Sequence, residues 1–95
     1  AIEPPAGYCA LIFARSGLAT KYGLRPSNCV GLVDGDYRGE IVVALHNDSN
    51  ETQSVEFGDR IAQLVLMPYK QVALDVVDEL SETGRGAGGF GSTGK

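Results

Sequence analysis

The chain has 95 residues and a formal net charge of −4, enough for one small domain. An acidic chain of this size does not hold a nucleic-acid backbone by electrostatics, and no apolar run approaches the roughly 20 residues of a membrane span. A domain this small buries only about two-thirds of its unfolded surface, so help from partner subunits is expected. Short apolar runs rich in β-branched residues, divided by turn residues, predict an all-β domain. The first strand is expected over Tyr8–Ala14 (YCALIFA) and is followed by one short helix, Ser16–Tyr22, with Ser16 near its start and Gly23 as its stop. Further strands are expected at Asn28–Val33, Glu40–Asn47, Ser54–Phe57, Ile61–Pro68 and Val72–Leu80. DSNE at 48–51 and Gly58-Asp59 are expected to supply hairpin turns, and IVVAL at 41–45 reads as a strand covered on each side by sheet or by another subunit.

Several residues are assigned structural roles on the same grounds. Cys9 and Cys29 lie in apolar runs and are expected to be buried free thiols. His46, at the end of its strand, is expected to be structural. Asn47-Asp48-Ser49 and Asn50-Glu51-Thr52 spell glycosylation acceptors but read as the polar residues of a turn. No signal-peptide pattern is found, and an intracellular location is expected: the cytoplasm, or the nucleus or a mitochondrion in a eukaryote.

Chemistry is suggested at three places. Gly84–Lys95 reads GRGAGGFGSTGK, half glycine, with no capacity to build a core. Glycine backbone N–H groups can approach an anion closely, and Arg85 and Ser92 add side-chain donors, so the segment reads as a flexible polyphosphate clamp. Phe90, a lone aromatic in a polar tail, suggests stacking on a flat ligand. Gly86-x-Gly88-x-x-Gly91 and Gly89-x-x-x-x-Gly94-Lys95 imitate dinucleotide-binding and P-loop patterns, but no helix follows to receive the phosphate. The exposed N–H groups of Gly17 and Leu18 at the start of the short helix, beside Arg15, read as a second anion-binding element. The third lies in GLVDGDYRGE at 31–40. There Asp34 ends an apolar run, where its carboxylate can orient water toward phosphorus, and Tyr37 offers a flat face with a polar tip.

Four stretches, ARSGLA at 14–19, VGLVDGDYRGEI at 30–41, GDRIAQL at 58–64 and RGAGGFGSTG at 85–94, resemble in type and order the motifs of the trimeric dUTPases. The resemblance implies a jelly-roll-like, distorted β-barrel over 1–83 and a phosphate-binding tail over 84–95. It implies a homotrimer with shared active sites that hydrolyses dUTP to dUMP and pyrophosphate. By the same resemblance, Asp34 activates the attacking water, and Arg15, Ser16 and Gly17 bind phosphate. Asn28 and the main chain of Leu32, Val33 and Val42 line the uracil pocket, and Tyr37 packs on the deoxyribose. Gln63 bonds phosphate oxygens while Arg60 supports its strand. Arg85, Gly91 and Ser92 take the distal phosphates, and Phe90 covers the base. Mg²⁺ is expected as cofactor, held mainly by the substrate phosphates, because the family's first motif, with a metal-anchoring aspartate, is expected upstream of Ala1. Neither nucleic acid nor membrane is an expected partner.

Two rival readings share the same fold. A dCTP deaminase would need a glutamate base beside the pyrimidine ring, and the Asp34 and Tyr37 pair with the aromatic tail argues against it. A non-catalytic nucleotide-sensing or protein-binding module would keep the pocket without turnover.

Overall fold

The computed structural model describes residues 1–94. Its hub is β1, Tyr8–Phe13, which runs between two antiparallel neighbours in a three-stranded sheet. On one side it pairs with β3, Gly31–Val33, with Ile12 opposite Gly31 and Ala10 opposite Val33. On the other it pairs with β5, Gln63–Pro68, from Tyr8 opposite Pro68 to Phe13 opposite Gln63. A strand flanked on both sides has its main-chain groups satisfied by the two ladders and can be apolar throughout. Cys9, Ala10 and Ile12 of β1 accordingly form most of the core, with Ala10 wholly buried.

The helix α1 occupies Ser16–Tyr22, as the sequence predicts. Arg15, not Ser16, holds the capping position, in extended conformation and without a side-chain cap. Thr20 Oγ1 donates to the Ser16 carbonyl at 2.6 Å. Gly23 ends the helix in the left-handed region at φ 71°, donating its N–H to Ala19. A Cβ at Gly23 would also lie 2.9 Å from the backbone nitrogen of Ser49, so both conformation and space require glycine.

Leu24–Pro26 forms β2, a strand the sequence reading did not contain, paired antiparallel with β4, Leu45–Asn47. Pro26 is tolerated because β2 is an edge of this two-stranded sheet. Arg25 on β2 donates through Nε to Asp48 Oδ2 at 2.7 Å, and His46 Nε2 lies 3.3 Å from Asp48 Oδ1. The Arg25 hydrogen bond is the main reason that the Asp48 carboxyl is held below its ordinary range.

Several expected strands contract or vanish. Glu40–Asn47 pairs only over its last three residues, and 28–33 only over Gly31–Val33. Ser54–Phe57 and Val72–Leu80 join no ladder. Neither finds a ladder partner among the described residues, and an apolar run does not become a strand without an edge to pair with. Ile41, Val43 and Leu45 are half-buried while Val42 is 76% exposed, so within the single chain the 41–45 segment is covered on one face and its second face is left bare, where the sequence allows another subunit. Residues 48–51 do turn, through Asn47 and Ser49 side-chain bonds, but do not join two paired strands. The Gly58 turn forms, with φ 89° and the Asp59 N–H donating to Glu56, yet it too joins no paired strands. Cys9 is a buried free thiol; Cys29 is free but exposed, in the turn after β2 where its φ is 66°.

The two sheets do not close into a barrel among the described residues. The accessible surface is 8233 Å², against about 5,200 Å² for a compact monomer of 10.0 kDa. The radius of gyration is 19.1 Å, against about 12 Å for a compact domain of this length. Much of the excess is apolar: Val65, Leu66 and Met67 of β5 are nearly half exposed, and Leu74, Val76 and Leu80 beyond it are almost fully so. Among the described residues no helix is long and apolar enough to cross a membrane.

Candidate active site

The register of β1 gathers the sequence motifs at one end of the sheet. Because Ile12 faces Gly31 and Phe13 faces Gln63, the chain leaving β1 at Ala14 and Arg15 emerges between β3 and the start of β5. Gln63 Nε2 donates to the Ala14 carbonyl at 2.8 Å, fixing that exit and leaving the second amide hydrogen and Oε1 for other partners.

Beside β3 lies a cleft of about 330 Å³, within the size range of small-molecule sites. Asn28, Leu32, Val33, Asp34, Tyr37 and Val42 all line it, so six of the expected residues meet in one place. The cleft also takes in Ile12, Gly31, Glu40 and Ile41, which the sequence reading did not assign. β3 is an edge strand, so its outer main-chain groups have no ladder partner among the described residues and are free for a ligand. Asn28 reaches over the same strand: its Nδ2 lies 3.6 Å from where a Gly31 Cβ would be.

Asp34 and Tyr37 are held by the turn that follows β3. The Tyr37 N–H donates to the Asp34 carbonyl at 3.1 Å, and the Tyr37 hydroxyl donates to the Glu40 carbonyl at 2.8 Å. Arg38 clamps the turn from outside, donating to the Gly35 carbonyl at 2.7 Å and to Glu3 Oε1 at 3.3 Å. A Cβ at Gly35 would lie 2.6 Å from the Tyr8 carbonyl oxygen, so glycine there lets the turn lie against β1. The Asp34 carboxylate accepts no hydrogen bond from the described residues and stands exposed at the cleft.

A second, more polar cleft of about 630 Å³ holds Arg15, Ser16, Gly17 and Gln63, the expected phosphate residues, with Gly58, Asp59 and Arg60 opposite. Arg60, read from sequence as a support for its strand, thus stands in the phosphate cleft as well. The turn at Gly58 brings it there, and that turn was legible while the direction it takes was not. A third hollow of about 430 Å³ shares Ile12 and Ile41 with the first cleft and Arg15, Arg60 and Gln63 with the second. The three hollows thus share walls, from an apolar one with a carboxylate to one with the Arg15 and Arg60 guanidinium groups and the Asp59 carboxylate. Their chemistry suits a flat base and sugar at one end and a polyanion at the other.

The tail residues do not join these hollows within the chain. Arg85, Phe90, Gly91 and Ser92 line none of them. Arg85 instead donates through Nε to the Gly88 carbonyl at 2.6 Å, in a run of short turns that continues from the Ser92 N–H to Gly89. Phe90 is fully exposed. The chain departs from the sheet after the Tyr69 N–H bonds Gly7, and the apolar residues that follow find nothing in their own chain to dock on. Lys95, the last residue of the expected tail, lies outside the described residues. Among the described residues no three His, Cys, Asp or Glu side chains converge as a metal-ligating set.

A family model described as dUTPase matches residues 1–94, and the chain belongs to the dUTPase family. Its mostly β architecture with one short helix is the jelly-roll fold expected from the motifs. Over 95 residues it is 58% identical to the deoxyuridine 5'-triphosphate nucleotidohydrolase of Desulfitobacterium hafniense, covering 99% of this chain and 63% of that protein. It is 48% identical over 88 residues to the protein of the same name from Hahella chejuensis, covering 93% of this chain and 58% of that one. The chain thus spans about three-fifths of the length of the curated relatives it matches. Among solved structures, a mutant dUTPase of Staphylococcus bacteriophage 80alpha with dUpNHpp superposes with TM-score 0.79 at 28% identity. That match covers 98% of this chain and 70% of the phage chain.

Proposed function

We propose that this chain forms the greater part of a dUTPase, a hydrolase that converts dUTP to dUMP and pyrophosphate and so keeps uracil out of DNA. The observation that carries the reading is the pair of clefts with shared walls, with Asp34 and Tyr37 in the apolar one and Arg15, Ser16, Arg60 and Gln63 in the more polar one. Uracil sits against β3, where main-chain groups of Leu32, Val33 and Val42 and the Asn28 amide pair with its edge and mismatch that of cytosine. Tyr37 packs on the deoxyribose. The triphosphate runs toward Arg15, Ser16 and Gly17, with Gln63 bonding its oxygens.

Asp34 orients a water and takes its proton as the water oxygen bonds to the α-phosphorus. The bond from that phosphorus to the bridging oxygen breaks, and pyrophosphate leaves with the electron pair. Mg²⁺ held by the triphosphate offsets negative charge when bound. The tail, with Arg85, Gly91 and Ser92 on the distal phosphates and Phe90 on the base, closes over a neighbouring subunit's groove and excludes water.

A homotrimer is supported by the open sheet edges, by the surface in excess of a compact monomer, and by the bare apolar stretch from Val65 to Leu80. A cytoplasmic location goes with the acidic, span-free composition. Incubation of the full-length protein with dUTP, with products separated by chromatography, tests the reading. Equal amounts of dUMP and pyrophosphate are expected; dUTP recovered intact would refute it.

A further inference from the structure

Gly39 does not occupy the left-handed region, so its backbone conformation is open to any residue. Its reason for being glycine is space. A Cβ there would lie 2.5 Å from Tyr37 Cζ and 2.8 Å from Cε1, where non-bonded carbons rest at about 3.5–4.0 Å. The hydroxyl end of the tyrosine, Oη first and then Cζ and Cε1, therefore abuts Gly39. The same end is held by the hydroxyl's bond to the Glu40 carbonyl, 2.8 Å long and one residue beyond Gly39. Tyr37 as a whole is 45% exposed, so its seat depends on few contacts and these two are prominent among them.

We propose that Gly39 is the specificity-positioning residue of the sugar subsite: it seats the Tyr37 ring at a fixed place, and ribose is rejected because that wall does not give. The inference rests on the reading of the cleft as a deoxyuridine site. A methyl group at position 39 meets a side-chain end rather than backbone. The ring is then the part that yields, by about 1 Å if the contact is to relax to normal carbon separation. Such a displacement takes the hydroxyl away from the Glu40 carbonyl. A wall freed from both anchors excludes an extra hydroxyl poorly, because rejection by shape is worth little unless the shape is rigid. Gly39 touches no substrate in this scheme and acts through Tyr37 alone.

A double-mutant cycle on the full-length protein, read as the ratio of UMP to dUMP dissociation constants, tests this. Gly39→Ala should lower that ratio by about tenfold or more, carried by tighter UMP and weaker dUMP binding. Tyr37→Ala should lower it at least as far, and Gly39→Ala added to Tyr37→Ala should change it no further. Tyr37→Phe, which removes only the hydroxyl anchor, should lie between parent and Gly39→Ala. Should Gly39→Ala alone fail to fold, the double variant should recover the fold, since the clash has gone with the ring. An unchanged ratio in Gly39→Ala, an additive fall in the double variant, or a parent that binds UMP and dUMP alike would each overturn the inference. Absence of dUTP hydrolysis in a parent that still prefers dUMP counts against the hydrolase reading alone.

Discussion

Asp34→Asn separates the chemical role of this residue from its structural one, because the turn around it is built from main-chain groups. The Tyr37 N–H bonds the Asp34 carbonyl, and Arg38 bonds the Gly35 carbonyl, neither of which an Asn would disturb. The carboxylate accepts no hydrogen bond from the described residues and is exposed, so the amide leaves no buried partner unsatisfied. Exposed substitutions of this kind stay within about 0.5 kcal/mol in stability. Loss of a general base, in contrast, costs about 10²–10⁴ in turnover, which corresponds to about 2.7–5.4 kcal/mol of barrier. The two effects differ severalfold, so one experiment resolves them. dUMP release at saturating dUTP should fall by about 10² or more, with KM and the thermal midpoint close to those of the parent. Turnover within about threefold of the parent would refute the role, since threefold is far below the contribution of a positioned base. A fall matched by a similar loss of stability would show that the turn, not the base, had been damaged.

Removing residues after Thr83 should leave assembly and mononucleotide preference in place while depressing turnover, since none of the tail lines the groove of its own chain; Arg85→Ala should reproduce most of the loss in the same assay. Sedimentation of the full-length protein should give a trimer, because Leu74, Val76 and Leu80 have no cover in the single chain, and a monomer that hydrolyses dUTP would contradict shared sites. For Asp48 the folded carboxyl titrates below its ordinary value of 3.8, chiefly through the Arg25 hydrogen bond. Its contribution to stability is therefore complete above that value and is lost as pH falls through the lower folded value. Asp48→Asn should flatten this acid limb in thermal melts below about pH 4, and an unaltered limb would place the acid sensitivity elsewhere.

Local chemistry was the legible part of this chain. The helix over Ser16–Tyr22 follows from its residues and the stop at Gly23, whose left-handed φ only glycine adopts freely. β1 announces itself as a continuous apolar run, as a central strand should. Pairing was less legible. Val72–Leu80 has strand composition and Leu24–Pro26 contains a proline, yet the second forms a ladder and the first does not. What decides is whether an edge lies alongside, which is a long-range matter. Each site motif could be read alone, whereas their adjacency depends on the β1 register that sets Gly31 and Gln63 at consecutive positions. The place of Arg60 in the second cleft, beyond the strand support expected of it, depends on a turn, and Gly39 matters only through a ring two residues away.

The central claim is hydrolysis of dUTP by attack of an Asp34-oriented water at the α-phosphorus. Its most direct test is a single incubation of the full-length protein with dUTP in water enriched in the heavy oxygen isotope, followed by mass spectrometry of both products. The account predicts that the heavy oxygen appears in the phosphate of dUMP and that pyrophosphate carries none. Label in the pyrophosphate, or release of orthophosphate in place of pyrophosphate, would contradict it.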